Sequence, residues 1–418
     1  MLKAYNYRIY PTQEHQKFLA QHFGCNRFIY NWALDKKMKL WEDGKQKITC
    51  FDLIKQLPIL KQQEETKWLN DISAASLQQS IKHLDSAFKS FYKGNGYPKF
   101  KSKYTSKQSY SIPQDVKIDF ESSFLILPKF KTSIKIRIDR EFTGKIKTCT
   151  VKKSSSGKYF ISVLVDDGIE LPIKSNPKSF IGIDLGLKDF LITSDGTKIN
   201  NPHLFVKSQD KLAREQRRLA RKVKGSSNYK KQKIKVARVH EKITNKRKDF
   251  LHKLSTRFIV ENQDCGFCVE DLNVKGMVRN RKLSKAISDV AWGEFLRQLT
   301  YKAAWQGMEI IKIGRFDASS KLCSLCGFKN DDLKLSDREW TCEVCNTNHD
   351  RDINAAINIK NIGMVGFTKT LGSDNDSRTL VETGTDGTWD QTHELSLVDE
   401  ARMKPEGTEK LLYGTRSF

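Results

Sequence analysis

Four cysteines set in two tight pairs constrain this chain more than any other feature: Cys323-x2-Cys326 and Cys342-x2-Cys345, with 15 residues between the pairs. Each pair can turn two thiolates toward one ion through a short knuckle, and Gly327 follows the first pair where such a turn needs it. Tetrahedral zinc takes four thiolates at about 2.3 Å. A shell closed by four cysteines leaves no position for water or substrate, so one structural Zn²⁺ is expected there. Cys265 and Cys268 form a third C-x2-C, but they fall in an apolar run that reads as a strand, where residues three apart point to opposite faces. They are expected in the core, not on an ion. Nine cysteines, clustered and odd in number, suit a reducing compartment and argue against a disulfide framework.

At roughly 100 to 200 residues per domain, 418 residues allow two to four domains. A hydrophobic content of 38% can build real cores, which excludes a wholly disordered chain. No apolar run approaches the ~18 residues of a membrane span, and the opening MLKAYNYRIYPTQEH lacks the apolar stretch of a signal peptide. A soluble, cytoplasmic protein is expected. The net charge is +25, and its distribution identifies the partner: residues 207–257 carry 19 Lys/Arg against 4 Asp/Glu, whereas residues 361–418 carry 6 against 10. The basic stretch is poor in Trp, Phe and Leu and is interrupted by Gly225-Ser226-Ser227-Asn228, so it fits a phosphate backbone better than a membrane surface.

The alternation of Tyr5, Tyr7 and Ile9 before Pro11 predicts a short first strand. Residues 12–93 have helical spacing, clearest in Leu77, Ile81, Leu84, Phe88 and Phe91, with Gln78, Gln79 and Lys82 off that stripe. From 109 to 166 the period becomes two, as in Ile134, Ile136, Ile138 and Tyr159, Ile161, Val163, Val165, which predicts a β domain able to include the first strand. After a linker at 172–177, Phe180-Ile181-Gly182-Ile183-Asp184 is apolar on both faces and reads as a buried central strand. A hairpin partner at 190–193, two basic helices joined at 225–228, a strand at 265–270, a helix at 289–306 and a strand at 308–313 follow. This alternation predicts an α/β sheet, interrupted by the cysteine module at 317–349 and resumed by a helix at 353–359. The last ~55 residues, rich in Gly, Thr, Ser and Asp, are expected to be flexible.

Asp184 and Glu270 end two of these strands and Asp352 begins the last helix. Singly, each has a plain explanation: a turn residue, an exposed strand end, an N-cap. Jointly, adjacent parallel strand ends and a helix start can bring them to one sheet edge, where three carboxylates need cations and their hard oxygens select Mg²⁺ or Mn²⁺. Two such ions about 4 Å apart can activate water and stabilise the leaving 3′ oxygen in phosphodiester hydrolysis. A basic protein with such a site reads as a nuclease.

Three blocks resemble the RuvC-like motifs of the TnpB family: Gly182-Ile183-Asp184-Leu185-Gly186-Leu187-Lys188-Asp189, Val269-Glu270-Asp271-Leu272-Asn273-Val274-Lys275-Gly276-Met277 and Asp350-Arg351-Asp352-Ile353-Asn354-Ala355-Ala356. Tyr7-Arg8-Ile9-Tyr10-Pro11-Thr12, Phe23-Gly24-Cys25-Asn26-Arg27-Phe28-Ile29-Tyr30-Asn31 and Tyr97-Pro98-Lys99-Phe100-Lys101-Ser102-Lys103 are similar to it as well, so the resemblance spans residues 1–361. It implies a transposon-encoded, RNA-guided double-stranded DNA endonuclease of the prokaryotic cytoplasm, related to type V CRISPR effectors. A transposon-derived guide RNA and a short transposon-adjacent DNA motif are implied too. The implied fold is multidomain α+β, with an RNase H-like (RuvC) α/β nuclease core. Residues 1–10 and 101–175 would form a β-barrel-like wedge domain and 11–100 a helical recognition domain. The nuclease core would take 176–316 and 350–361, an inserted zinc ribbon 317–349, and a flexible acidic tail 362–418. The implied metal ligands are Asp184, Glu270 and Asp352, with Asp184 bridging two Mg²⁺ ions, and the implied zinc ligands are Cys323, Cys326, Cys342 and Cys345. A monomer in the RNA complex is expected.

Gln79 is a candidate for reading the adjacent motif, since Gln bonds bidentately to adenine, and Lys82 is a candidate phosphate contact. Arg214, Arg217, Arg218 and Arg221 recur at spacings of three and four and are candidates to line a nucleic-acid channel. Each set also reads as a solvated polar face. His349, in a polar turn, is expected to be solvent-exposed and without a role. Two other functions use the same residues: a strand-transfer transposase or junction resolvase, and an RNA-guided DNA-binding regulator that does not cut. Intact carboxylates weigh against the second.

Overall fold

The alternating residues at the start of the chain form strand β1 (Leu2–Tyr10), and Pro11 with Thr12 turns it into helix α1 (Gln13–Glu42). Thr12 Oγ1 accepts the backbone N–H of His15 and the His15 ring accepts the N–H of Thr12, a reciprocal cap for two otherwise orphaned donors. This structure, a computed structural model, describes residues 1–373 apart from 105, 106, 175, 316, 318 and 335. The chain divides into two compact units, one of Met1–Pro172 with Val206–Lys246 and one of Ile173–Phe205 with the chain from Arg247 onward.

In the first unit α2 (Cys50–Lys55), α3 (Leu57–Gln62) and α4 (Ala74–Tyr92) pack with α1 around Ile29, Leu34, Leu53, Leu77, Ile81 and Leu84. A buried amide fixes the α1–α4 contact, because Ser80 Oγ donates to Asn26 Oδ1 at 2.7 Å. Then come β2 (Gln108–Ile112), β3 (Lys117–Asp119), β4 (Phe124–Ile126), β5 (Ile134–Arg137), β6 (Lys145–Lys153) and β7 (Tyr159–Asp166). With β1 they make an antiparallel seven-stranded sheet in the order β2-β6-β7-β1-β5-β4-β3. The first strand therefore lies in the middle, with Tyr7 opposite Ile161 on one side and Ile9 opposite Ile136 on the other. The period of two decides what is buried: Tyr159, Ile161, Val163 and Val165 of β7 all face the core with Leu19 and Phe23 of α1.

The second unit begins with β8 (Ser179–Asp184), β9 (Asp189–Thr193) and β10 (Lys198–Asn200). Helices α5 (Val206–Ala220) and α6 (Ser227–Glu261) follow, joined through Gly225 in a left-handed conformation at φ +90°. They belong to the first unit as far as Lys246, where Gln232 Nε2 of α6 donates to Glu215 Oε2 of α5 at 2.7 Å. Then come β11 (Cys265–Glu270), α7 (Val274–Met277), α8 (Ser284–Val290), α9 (Trp292–Trp305), β12 (Ile310–Ile313), β13 (Glu339–Thr341), β14 (Asn348–Asp350) and α10 (Arg351–Ser373). The helix expected over 289–306 is in fact two, broken at Ala291 with φ +57°.

The five-stranded sheet runs β10-β9-β8-β11-β12, with β8, β11 and β12 parallel and β9 and β10 antiparallel. One face packs Ile183, Phe267 and Val269 on Leu251, Leu254 and Phe258 of α6 and Phe295 and Leu299 of α9. The other packs Phe180, Cys268 and Ile313 on Ile359 of α10. Two glycines let α10 come this close: a Cβ on Gly182 would lie 1.9 Å from the Ala356 carbonyl oxygen, and one on Gly363 would lie 2.4 Å from Cys268 Sγ. Gly182→Ala must push the helix off the sheet, and a loss of about 3 kcal/mol in chemical denaturation is expected, the upper end for an overpacked core. A parent-like transition would show that the helix yields freely.

The first residues of the flexible tail expected from 362 are helical. Residues 362–373 continue α10, and the Phe367 ring packs on Phe180 at 5.2 Å between centroids. The rest of that tail, from 374, lies outside the described residues. Among the described residues no helix is long and apolar enough to cross a membrane.

Candidate functional site

Strand parity places the carboxylates. Gly182 and Cys268 sit side by side in the parallel register of β8 and β11, on the face that α10 covers. Asp184 and Glu270, two residues further along each strand, share that face at its C-terminal edge. Asp352 lies one helical turn before Ala356, which rests on Gly182. The three acids therefore share the edge where two parallel strands end and α10 begins, near enough for the charges of Glu270 and Asp352 to act on Asp184.

Burial, and then the negative charges of Glu270 and Asp352, push the Asp184 carboxyl up from 3.8 to about 7 in the metal-free protein. The plain explanation for Asp352, an N-cap, is removed: Asp350 Oδ1 accepts the backbone N–H of both Asp352 and Ile353 at 3.1 Å, and Lys198 Nζ pairs with Asp350 at 2.6 Å. With its cap role filled, Asp352 is available to the site, and the Arg338 guanidinium lies 3.6 Å from its Oδ2. Glu270 Oε1 accepts the hydroxyl of Ser319 at 2.5 Å.

The second cluster is the four thiols. Cys323 Sγ lies 3.6 Å from Cys345 Sγ and Cys326 Sγ 3.5 Å from Cys342 Sγ, and all four sulfurs are within 4.8 Å of one another. Sulfurs at tetrahedral corners 2.3 Å from one ion would be about 3.8 Å apart, so the donor set fits Zn²⁺. The two knuckles are alike: Gly327 N donates to Cys323 O and Asn346 N to Cys342 O, both at 2.9 Å, with Gly327 at φ +78° and Asn346 at +54°. His349 is not the exposed residue expected from its polar turn. It is 7% exposed, its ring packs on Trp340 across β13 and β14, and its Nε2 lies 3.0 Å from Cys323 Sγ. A ring nitrogen at that distance can hydrogen-bond the Cys323 sulfur and so orient a group that could ligate a metal. Cys268 is buried on the α10 face, whereas Cys265 meets Ser179 Oγ at 3.1 Å, and the pair forms no metal cluster among the described residues.

The basic candidates lie in the first unit. Arg214, Arg217, Arg218 and Arg221 line one open groove with Asp210, and Arg218 also pairs with Glu215 at 2.8 Å. On α4, Leu77, Ile81 and Leu84 are buried while Lys82 is exposed, and Gln79 Nε2 lies 3.3 Å from His83 Nε2. Ser319, Arg338 and the buried amides Asn354 and Asn358 were missed in the sequence. For the amides a signal existed, since two asparagines four apart interrupt the small apolar face of α10.

Comparison with known proteins bears on these residues. Residues 160–281, which hold Asp184 and Glu270, match the OrfB_IS605 family, described as "Probable transposase". Residues 292–359, which hold the cysteines and Asp352, match the "Cas12f1-like, TNB domain". Residues 1–46 match a family described as "Helix-turn-helix domain", although here they form a strand and one uninterrupted helix. A "Putative RNA-guided DNA endonuclease" of Streptomyces pristinaespiralis is 40% identical over 365 residues, covering 87% of this chain and 89% of that protein. The "Putative RNA-guided DNA endonuclease InsQ" of Escherichia coli K12 is 34% identical, over 86% of this chain and 91% of its own length. In fold the chain is similar to the protein in a Cas12f1–sgRNA–target DNA complex, at 18% identity and a TM-score of 0.54, with 84% of this chain and 83% of that one covered.

Proposed function

The chain belongs to the TnpB family of RNA-guided DNA endonucleases, and from that premise we propose that it cuts double-stranded DNA chosen by a bound, transposon-derived guide RNA. Cleavage falls beside a short adjacent DNA motif. The observation that carries this reading is the meeting of Asp184, Glu270 and Asp352 at one sheet edge in a chain whose relatives bear that name over nearly their whole length. The strand order β10-β9-β8-β11-β12, with a helix on each face, supports the finer fold reading, an RNase H-like (RuvC) core carrying a zinc ribbon. The seven-stranded sheet is the wedge domain and the helices of residues 11–100 the recognition domain in this reading.

Asp184, Glu270 and Asp352 would hold divalent cations, Mg²⁺ or Mn²⁺, which when bound supply an activated water and charge stabilisation for the leaving 3′ oxygen. The chain's own part is to keep these carboxylates on one edge, half-buried. Guide–target pairing supplies sequence choice, while the protein holds backbone and heteroduplex shape.

Purification from cells carrying the flanking transposon DNA, sequencing of the co-purified RNA and Mg²⁺-dependent cleavage of a plasmid library with randomised flanks tests the proposal. Guide-dependent cuts beside one enriched motif are expected. The description "Probable transposase" gives a strand-transfer enzyme some support, and RNA-independent joined strands in the same assay would establish it instead. A retained RNA without cuts would indicate a regulator.

The groove of Arg214, Arg217, Arg218 and Arg221 is assigned to nucleic-acid backbone. Neutralising all four to Gln should weaken guide RNA retention by about 10-fold or more at 150 mM salt, with a shallower salt dependence. Unchanged retention would return these residues to solvated surface. Gln79, beside Lys82 on the outward side of α4, is assigned to the adjacent motif, and Gln79→Ala should relax preference at one base of the enriched flank.

A further inference from the structure

We propose that Ser319 is a positioning residue for Glu270, and that the cysteine module, clamped to α10 by Asn354 and Asn358, holds it in place. This rests on the reading of Glu270 as a metal ligand.

The hydroxyl of Ser319 donates to Glu270 Oε1 at 2.5 Å, and the residue is 7% exposed. A lone hydroxyl positions a carboxylate only if its own backbone is fixed, and here it is. The Ser319 carbonyl accepts Asn358 Nδ2 at 2.8 Å, and the same amide donates to Leu322 O at 2.7 Å. Asn354 Nδ2 donates to Leu322 O at 2.7 Å, while its Oδ1 accepts the N–H of Ser324, inside the first knuckle, at 2.9 Å. Asn354 and Asn358 are 1% and 6% exposed, and a buried amide is costly unless its hydrogen bonds are made. Both direct these bonds to residues 319–324.

The far side of the module grips the same helix. Arg351 Nη1 donates to Lys334 O at 2.8 Å, its backbone N–H to Arg338 O at 2.8 Å, and the Arg338 side chain faces Asp352. One arm of the cysteine module thus reaches Glu270 and the other reaches Asp352. A group of this kind outside the ligand set fixes the ligand's orientation and changes metal affinity without touching the metal.

Three variants of the zinc-loaded full-length chain test this: Ser319→Ala, Ser319→Thr and Asn358→Ala, with Asp184→Asn as the blank for nonspecific ion binding. Calorimetric titration with Mn²⁺ reads the site without cleavage, and the Mg²⁺ concentration for half-maximal cleavage reads it in the guide RNA complex. Ser319→Ala should weaken Mn²⁺ binding about 10-fold and raise the half-maximal Mg²⁺ similarly, with zinc content, melting midpoint and RNA retention unchanged. Ser319→Thr, which keeps the hydroxyl, should return both to within about twofold, and Asn358→Ala should shift both in the direction of Ser319→Ala. Parent-like ion curves for Ser319→Ala overturn the proposal, as does an equal loss in Ser319→Thr at an unchanged melting midpoint. If the parent does not cleave DNA but Ser319→Ala still weakens Mn²⁺ binding, the positioning role stands and the nuclease reading fails.

Discussion

Asp184→Asn is expected to lower DNA cleavage by about a thousandfold or more, since several kcal/mol of transition-state stabilisation depend on its charge. Guide RNA retention should be unchanged. The same variant should be more stable than the parent when no divalent cation is present. In the folded protein the Asp184 carboxyl titrates at about 7, against 3.8 for an ordinary aspartate, so between those values the folded state holds a proton that the unfolded chain has lost. That contribution is fully present below about pH 4 and is lost as pH rises through about 7. Asn is neutral throughout, so at pH 8 the variant should gain roughly 2 to 4 kcal/mol over the parent, measured by denaturation in chelator. The gain should fade toward pH 4, and Mg²⁺ should narrow it at pH 8 by stabilising the parent alone. Retained cleavage would remove Asp184 from the site, and equal stabilities at pH 8 would mean that the carboxylates do not strain one another.

Losing Cys342, one of the four proposed zinc ligands, should do comparable damage by another route. Structural zinc sites are worth about 10 to 16 kcal/mol of binding free energy, which here would fold residues that otherwise have a small core of Leu333, Trp340 and Phe328. Cys342→Ser is expected to lower metal content from one zinc per chain to none and to make the cysteine module protease-sensitive. The seven-stranded sheet, which has its own core, should survive. Because this module carries Ser319 and Arg338, cleavage should fall with it. One zinc per chain in the purified variant would show that three thiols and His349 suffice.

Much of the second unit is legible in the sequence because its signals are local. The apolar runs 180–184 and 265–270 both read as strands that end in an acid, and the register of their pairing then puts Asp184 and Glu270 on one face. The cysteine spacing likewise prescribes its own chemistry. What escapes the sequence is contact at a distance. Nothing near Ser319 points to Glu270, 49 residues earlier, and nothing near His349 announces that Trp340 will cover it. Helix α10 outruns the helix expected at 353–359 and carries Gly363 within it. Gly363 is there because Cys268 leaves no room for a side chain, a reason that exists only once helix and sheet have met.

The central place of β1 governs how this protein can be made. Its partner β7 runs antiparallel to it, Leu2 facing Asp166, so β1 waits for residues translated some 160 positions later. At about 5 to 20 residues per second that interval is roughly 10 to 30 seconds. Until β5 can pair with one edge through Ile136, Tyr7 and Ile9, destined for the core, sit on a strand with neither edge paired, the state in which nascent chains find the wrong partner. Yield of soluble protein should therefore depend on translation speed and chaperone supply more steeply than its final stability would suggest.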